Sequence, residues 1–291
     1  MNDQANSLRK RMEAEQRGAG DARVISVVSG KGGVGKSNVT VNFALSLAEL
    51  NKKVVVFDLD IGMANVDILL GETPRHSIVD MVENQLTIWD IIETGPQGLQ
   101  FIAGGSGLSE MFSMNEAKRD RFLEQLEALT AHVDIILFDM GAGATADTMQ
   151  FILAADEVLL VTTPEPTAIT DAYGMFKWMH LENADLPCSL VVNRAQTERE
   201  GDQTAENVKT VAERFLSRTL AKAAVIPEDQ AVMKAVRSQK PFVLHNPKSK
   251  ASRAVINMAA AFAGKASNKN APASFVSKLR TWLKPKGDVS S

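Results

Sequence analysis

Residues 24–28, VISVV, run directly into Ser29-Gly30-Lys31-Gly32-Gly33-Val34-Gly35-Lys36-Ser37. Residues 37–50 then place Val41, Ala44, Leu45, Leu47 and Ala48 at helical spacing. A buried strand, a glycine-rich loop and a helix in that order leave few folds open. Gly30 to Ser37 fit G-x-x-x-x-G-K-[ST], and the strand before and helix after supply the context that gives this pattern meaning. Glycines let successive backbone N–H groups converge on phosphate oxygens, and the helix N-terminus adds positive potential. Lys36 is placed to reach the β- and γ-phosphates and Ser37 to ligate Mg²⁺. Gly30, Lys31, Gly32, Gly33, Val34, Gly35 and Asn38 complete the predicted nucleotide cradle.

The pattern continues along the chain. Short apolar runs recur at residues 54–57, Ile135–Phe138, Val158–Thr162, Leu190–Val192 and Ala224–Ile226. Helical segments are predicted near 115–131, 146–154, 167–183, 204–219 and 249–263. Alternation of this kind predicts βαβ units, hence an α/β fold with a doubly wound, mainly parallel sheet flanked by helices. Near-continuous apolar strands imply that both sheet faces are covered. The 291 residues, 45% apolar and 23% charged, are globular values. The sequence divides into an N-terminal extension (1–23), a body (24–264), a linker (265–273) and a C-terminal amphipathic helix (274–291).

Composition removes several function classes. The single cysteine, Cys188, precludes an intramolecular disulfide and nearly excludes a cysteine-ligated zinc or iron–sulfur site within one chain. It also points to a reducing, cytoplasmic setting. No apolar stretch reaches the about 18 residues of a membrane span, and residues 1–23 lack the apolar region of a secretory signal. The four histidines are scattered without metal-ligand spacing. From Lys265 onward, six basic residues face one acid, Asp288, so the tail carries +5; the whole-chain charge of −3 leaves the rest at −8. An acidic body argues against direct nucleic-acid binding, whereas the tail can seek an anionic surface.

Two strands end in acids. The second runs into Asp58-Leu59-Asp60, and Ile135–Phe138 into Asp139-Met140-Gly141-Ala142-Gly143. Strand C-terminal ends form the ligand edge of an open α/β sheet. Four apolar residues followed by Asp make a Walker B element, in which Asp139 holds a magnesium-bound water.

The second lysine in the loop, Lys31 of K-G-G-x-G-K-S, closely resembles the deviant Walker A motif of the MinD/ParA superfamily. The resemblance covers residues 24–264. It implies a weak, dimer-dependent ATPase in which Lys31 reaches across an ATP-sandwich homodimer to the partner's nucleotide. Supplying a cation in trans follows the logic of an arginine finger. Asp60 matches the family's switch aspartate, which positions or deprotonates the attacking water, and Asp58 helps organise the Mg²⁺ shell. Asn193-Arg194 and Pro227-Glu228 match base-contacting loops; without an N-K-x-D signature, ATP is favoured over GTP. Glu165, in Thr163-Pro164-Glu165-Pro166-Thr167, matches a loop that faces the dimer partner and its nucleotide.

Phe275, Val276, Leu279, Trp282 and Leu283 fall on one helical stripe beside Lys278, Arg280 and Lys284. This reads as an interfacial membrane anchor. One such anchor binds weakly, whereas two on a dimer gain about 10²–10⁴-fold through avidity. Reversible attachment to the inner face of the cell membrane would then follow ATP-driven dimerisation. Asp3-Gln4-Ala5-Asn6-Ser7-Leu8-Arg9 resembles the D-Q-A-x-x-L-R element of the FlhG (FleN/YlxH) branch of the superfamily. That resemblance implies control of flagellar number and placement, with Gln4 reaching the active site of the GTPase FlhF, Asp3 and Ala5 completing the motif, and Leu8 and Arg9 docking. Flagellar C-ring or regulatory proteins are the other implied partners. Rival readings are MinD-type division-site selection and a nucleotide-gated adaptor with negligible turnover.

Overall fold

The computed structural model describes residues 22–60, 65–104, 116–143, 145–264 and 274–282; for Ala146 and Asp147 only the backbone is described. The proposed partner motif Asp3, Gln4, Ala5, Leu8 and Arg9 lies outside these residues, as does Leu283 of the apolar stripe.

An eight-stranded sheet forms the centre. Its strands are β1 (Arg23–Ser29), β2 (Val54–Leu59), β3 (Glu93–Thr94), β4 (Gln100–Ile102), β5 (Ile135–Ala142), β6 (Glu157–Thr162), β7 (Cys188–Ala195) and β8 (Ala221–Pro227). Their order is β3-β4-β2-β5-β1-β6-β7-β8, and every pairing is parallel except that of the short β3 with β4. The sheet is therefore doubly wound: the chain leaves β1 for one edge and later returns to the other. The switch point, where ligands bind in such sheets, lies at the C-terminal end of β1.

Strand alternation sorts the core into two faces. In β1, Val24 and Val28 belong to one apolar cluster and Ile25 and Val27 to the other; in β5, Ile136 and Phe138 oppose Ile135 and Leu137. The first face is covered by α5 (Glu116–Thr130), α6 (Ala146–Ala154), α7 (Pro166–Glu182) and α8 (Glu198–Leu216). The second is covered by α1 (Lys36–Glu49), α10 (Phe242–His245) and α11 (Lys250–Ala263). Smaller helices α2 (Val66–Leu70), α3 (Ile78–Glu83), α4 (Ile88–Ile91) and α9 (Gln230–Arg237) fill the connections.

Helix α8 begins six residues before the predicted 204. The Thr197 side chain accepts a hydrogen bond from Glu200 N, and Glu198 and Glu200 occupy the first turn. Such a capped, acidic start extends a helix through polar sequence that hydrophobic spacing alone does not mark.

The C-terminal helix α12 (Phe275–Trp282) does not hang free after its linker. It lies against the first face, packed on α6 and α5, with Phe275, Val276 and Leu279 buried and Trp282 half-buried. The Phe275 ring sits 5.3 Å from that of Phe138, and Lys278 Nζ donates to Asp156 Oδ1 at 2.9 Å. The sequence left open whether this stripe docks on the body or stays available to lipid; in the structure its described part, Phe275 to Trp282, faces inward. The reason is energetic: three buried apolar side chains contribute about 1.5–3 kcal/mol each, before the cost of ordering the helix. No helix among the described residues is long and apolar enough to cross a membrane.

Candidate nucleotide site

The loop after β1 turns sharply into α1. Gly33 and Gly35 adopt left-handed conformations, with φ of 80° and 88°, which side chains with a Cβ disfavour. Gly35 is the N-cap of α1, so the loop's N–H groups and the helix terminus converge on one point. Gly30 is required differently: a Cβ there would stand 2.1 Å from Asp171 O, so only glycine lets α7 lie against the loop.

Lys36 opens α1 and is almost fully buried. Its Nζ donates to Asp139 Oδ1 at 2.7 Å and lies 3.5 Å from Ser37 Oγ. Thr40, one turn along α1, donates its hydroxyl to the same Asp139 oxygen at 2.9 Å. Asp139 Oδ2 is buried without a partner. Asp58 is the register partner of Asp139 on the neighbouring strand, and both face α1. Asp58 accepts from Asp60 N at 3.1 Å, Asn65 N at 2.8 Å and Val66 N at 3.1 Å, so it ties the start of α2 to the end of β2. Burial, with the adjacent Asp139 charge, raises its pKa to about 6 despite those bonds.

Asp60 lines the same cleft, of about 700 Å³, together with Gly32 to Ser37, Gly141 and Thr145. Gly141 of β5 lies beside it: a Cβ there would make an ordinary contact, 3.5 Å from Asp60 Oδ1. Ser37, Asp139 and Asp58 suit a magnesium ion that arrives with phosphates. Ser37 Oγ and Asp139 Oδ1 both approach Lys36 Nζ, Asp139 Oδ2 is unsatisfied, Asp58 sits beside Asp139 with its oxygens on backbone N–H groups, and no cluster of three His, Cys, Asp or Glu side chains exists among the described residues to hold a metal alone.

Lys31 stands at the cleft mouth, and its Nζ donates to Glu165 Oε2 at 3.1 Å and Thr167 Oγ1 at 2.9 Å. Glu165, expected at a partner's nucleotide, here engages the lysine of its own chain. Asn193 and Arg194 at the end of β7 meet Pro227 and Glu228 at the end of β8, where Arg194 Nη2 lies 3.9 Å from Glu228 Oε1. Asn193 also reaches the phosphate loop, donating Nδ2 to Val34 O at 2.8 Å.

Four contributors were given no role by the sequence reading. Thr40 carries a legible signal, one turn beyond Lys36 on the same helix face. Thr167, quoted only within its loop, emerges as a hydrogen-bond partner of Lys31. Ile68 and Val236, which supply apolar wall to the cleft, carry none, because their elements meet only in the fold.

Comparison with known proteins agrees with this geometry. The ParA family, described as NUBPL iron-transfer P-loop NTPase, matches residues 21–263. The antiactivator FleN of Pseudomonas aeruginosa is 37% identical over 232 residues, covering 80% of this chain and 83% of FleN. The flagellum site-determining protein YlxH of Helicobacter pylori is 35% identical over 247 residues, covering 82% and 83%. Among solved structures, the septum site-determining protein MinD of Pyrococcus horikoshii, complexed with Mg-ADP, superposes with a TM-score of 0.68 at 28% identity, covering 84% of this chain and 98% of that one.

Proposed function

The chain belongs to the MinD/ParA family of P-loop NTPases, in the FlhG branch that includes FleN and YlxH, and from that premise we propose that it is an ATP-dependent switch controlling flagellar number and placement. The observation that carries this reading is the pairing of Lys36 with Asp139 beside a second loop lysine, Lys31, at the open mouth of the cleft. One lysine serves the chain's own phosphates; the other is placed to serve a facing copy.

With ATP bound, Lys36 leaves Asp139 for the β- and γ-phosphates; Ser37 and Asp139, with Asp58 beside Asp139 on the neighbouring strand, would hold the Mg²⁺ that arrives with them, which would offset phosphate charge. Asn193, Arg194, Pro227 and Glu228 hold the base. Asp60 orients the water whose oxygen attacks the γ-phosphorus; the bond to the bridging oxygen breaks, leaving ADP and phosphate, and the water proton is taken up by Asp60 or by the phosphate. Lys31, released from Glu165 and Thr167, offsets charge on the partner's phosphates as they separate. Turnover is weak until the homodimer closes.

In this reading α12 undocks and meets lipid. Moving its stripe from protein core to membrane exchanges one apolar environment for another, so a single helix gains little and the paired helices of a dimer decide residence. Residues 3–9 supply the contact with FlhF. The family description's iron transfer is not carried over, because a single cysteine cannot form a metal-binding pair within the chain.

The test is mass measurement by light scattering together with liposome sedimentation, each in ADP and in ATP. A dimer that sediments only in ATP is expected; identical mass and partitioning with both nucleotides would end the proposal. Division-site selection is the second reading, motivated by the superposition on MinD. Pulldown with FlhF against pulldown with the MinC inhibitor separates the two.

A further inference from the structure

A loop that aims its N–H groups at phosphate turns its carbonyls the other way. Val34 is buried, and its carbonyl points at the end of β7, where Asn193 Nδ2 donates to it at 2.8 Å across 159 residues of sequence. A buried carbonyl without a donor is costly, so this contact is a condition of the loop's shape. The fit is close: a Cβ on Gly35 would stand 2.4 Å from the same nitrogen, so the amide occupies space that only glycine leaves open.

The end of β7 is built to deliver that side chain. Its pairing with β8 shifts register between Asn193 and Ala195, and Arg194 within the shift takes a left-handed φ of 61°. Bulges re-aim side chains, and a non-glycine residue stays left-handed only where its surroundings enforce it. Glu228 N bonds to Ala195 O at 2.8 Å and fastens the far side of the shift.

We propose that Asn193 is a positioning residue of the phosphate loop, which it holds in its phosphate-ready shape through Val34 before any base arrives. This rests on, and deepens, the nucleotide-binding reading above. A residue that only read the base would act only on ligands that have one.

The experiment uses the full chain and Asn193→Ala. Two readouts apply: hydrogen exchange of amides 29–40 without nucleotide, and affinity for magnesium tripolyphosphate, which has no base. Loop exchange is expected to accelerate about tenfold or more, with residues 250–263 unchanged, and tripolyphosphate affinity to fall about tenfold. If exchange and tripolyphosphate affinity match wild type while ATP affinity falls, Asn193 reads the base alone and the proposal is overturned. If the wild-type chain binds neither ATP nor tripolyphosphate, the nucleotide reading fails, and the exchange result still decides the clamp. Should the variant not fold, the wild-type Asn193 side-chain amide decides: one slowly exchanging Nδ2 proton is expected in the nucleotide-free protein, and free averaging of both protons would overturn the assignment.

Discussion

Lys36 Nζ and Asp139 Oδ1 lie 2.7 Å apart in a setting almost closed to solvent, joining the first turn of α1 to the middle of β5. Removing one member of a buried pair strands the other. Asp139→Ala is therefore expected to destabilise the nucleotide-free protein by about 3–5 kcal/mol. Saturating metal-free ATP gives Lys36 new anionic partners without calling on Asp139 as a metal ligand, so the deficit should shrink in its presence. Urea unfolding with and without nucleotide checks both parts, and an equal deficit in the two conditions would contradict the exchange of partners.

Asp60→Ala removes the group that orients the attacking water but none that the structure places on the phosphate loop. Hydrolysis should fall about 10²–10⁴-fold while ATP affinity stays within a few-fold. Single-turnover assays and equilibrium titration separate the terms. In ATP the variant should accumulate as a membrane-bound dimer.

Glu165→Ala and Thr167→Val release Lys31 from its own chain. The pair is exposed, so thermal stability should change by no more than about 0.5 kcal/mol. Any effect belongs to assembly: ATP-dependent dimerisation, followed by scattering, should change while the melting temperature does not. A large stability loss would show that Lys31 is part of the scaffold.

Asp58 gives a pH signature. Its carboxyl titrates near 6 in the fold, against an ordinary value of 3.8. Between those values the folded state holds the extra proton, so stability is gained at low pH and lost as pH rises through 6. The loss is about 3 kcal/mol for the nucleotide-free chain, and Asp58→Asn should abolish it. Melting curves of both proteins from pH 4 to 7 test this: as pH rises the wild type should lose stability relative to the variant, whose own curve lacks this loss.

Asp156→Asn weakens the hold on Lys278 without altering α12 itself. If docking competes with lipid, liposome sedimentation of this variant should rise several-fold. Unchanged partitioning would mean that the berth and the membrane do not share the helix.

Most of the sheet was legible because its strands are buried on both faces and announce themselves as apolar runs. Strands β3 and β4 were not: two and three residues carry no period, and their pairing arises from contact with β2 and each other. The phosphate loop and its acids were legible because their chemistry demands fixed residue types next to one another in sequence. The contact of Asn193 with Val34 joins distant segments and has no local mark. The inward stripe of α12 was ambiguous for a deeper reason, since periodicity tells that a helix has an apolar side and not what will cover it.

The ring of Phe275 against Phe138 has a practical corollary. Anyone trimming this polypeptide after Gly264, to dispose of a troublesome tail, would strip part of the interior's lining from the strand that carries Asp139. Stickiness or lost turnover in such a shortened protein would then report a damaged interior and say nothing about lipids.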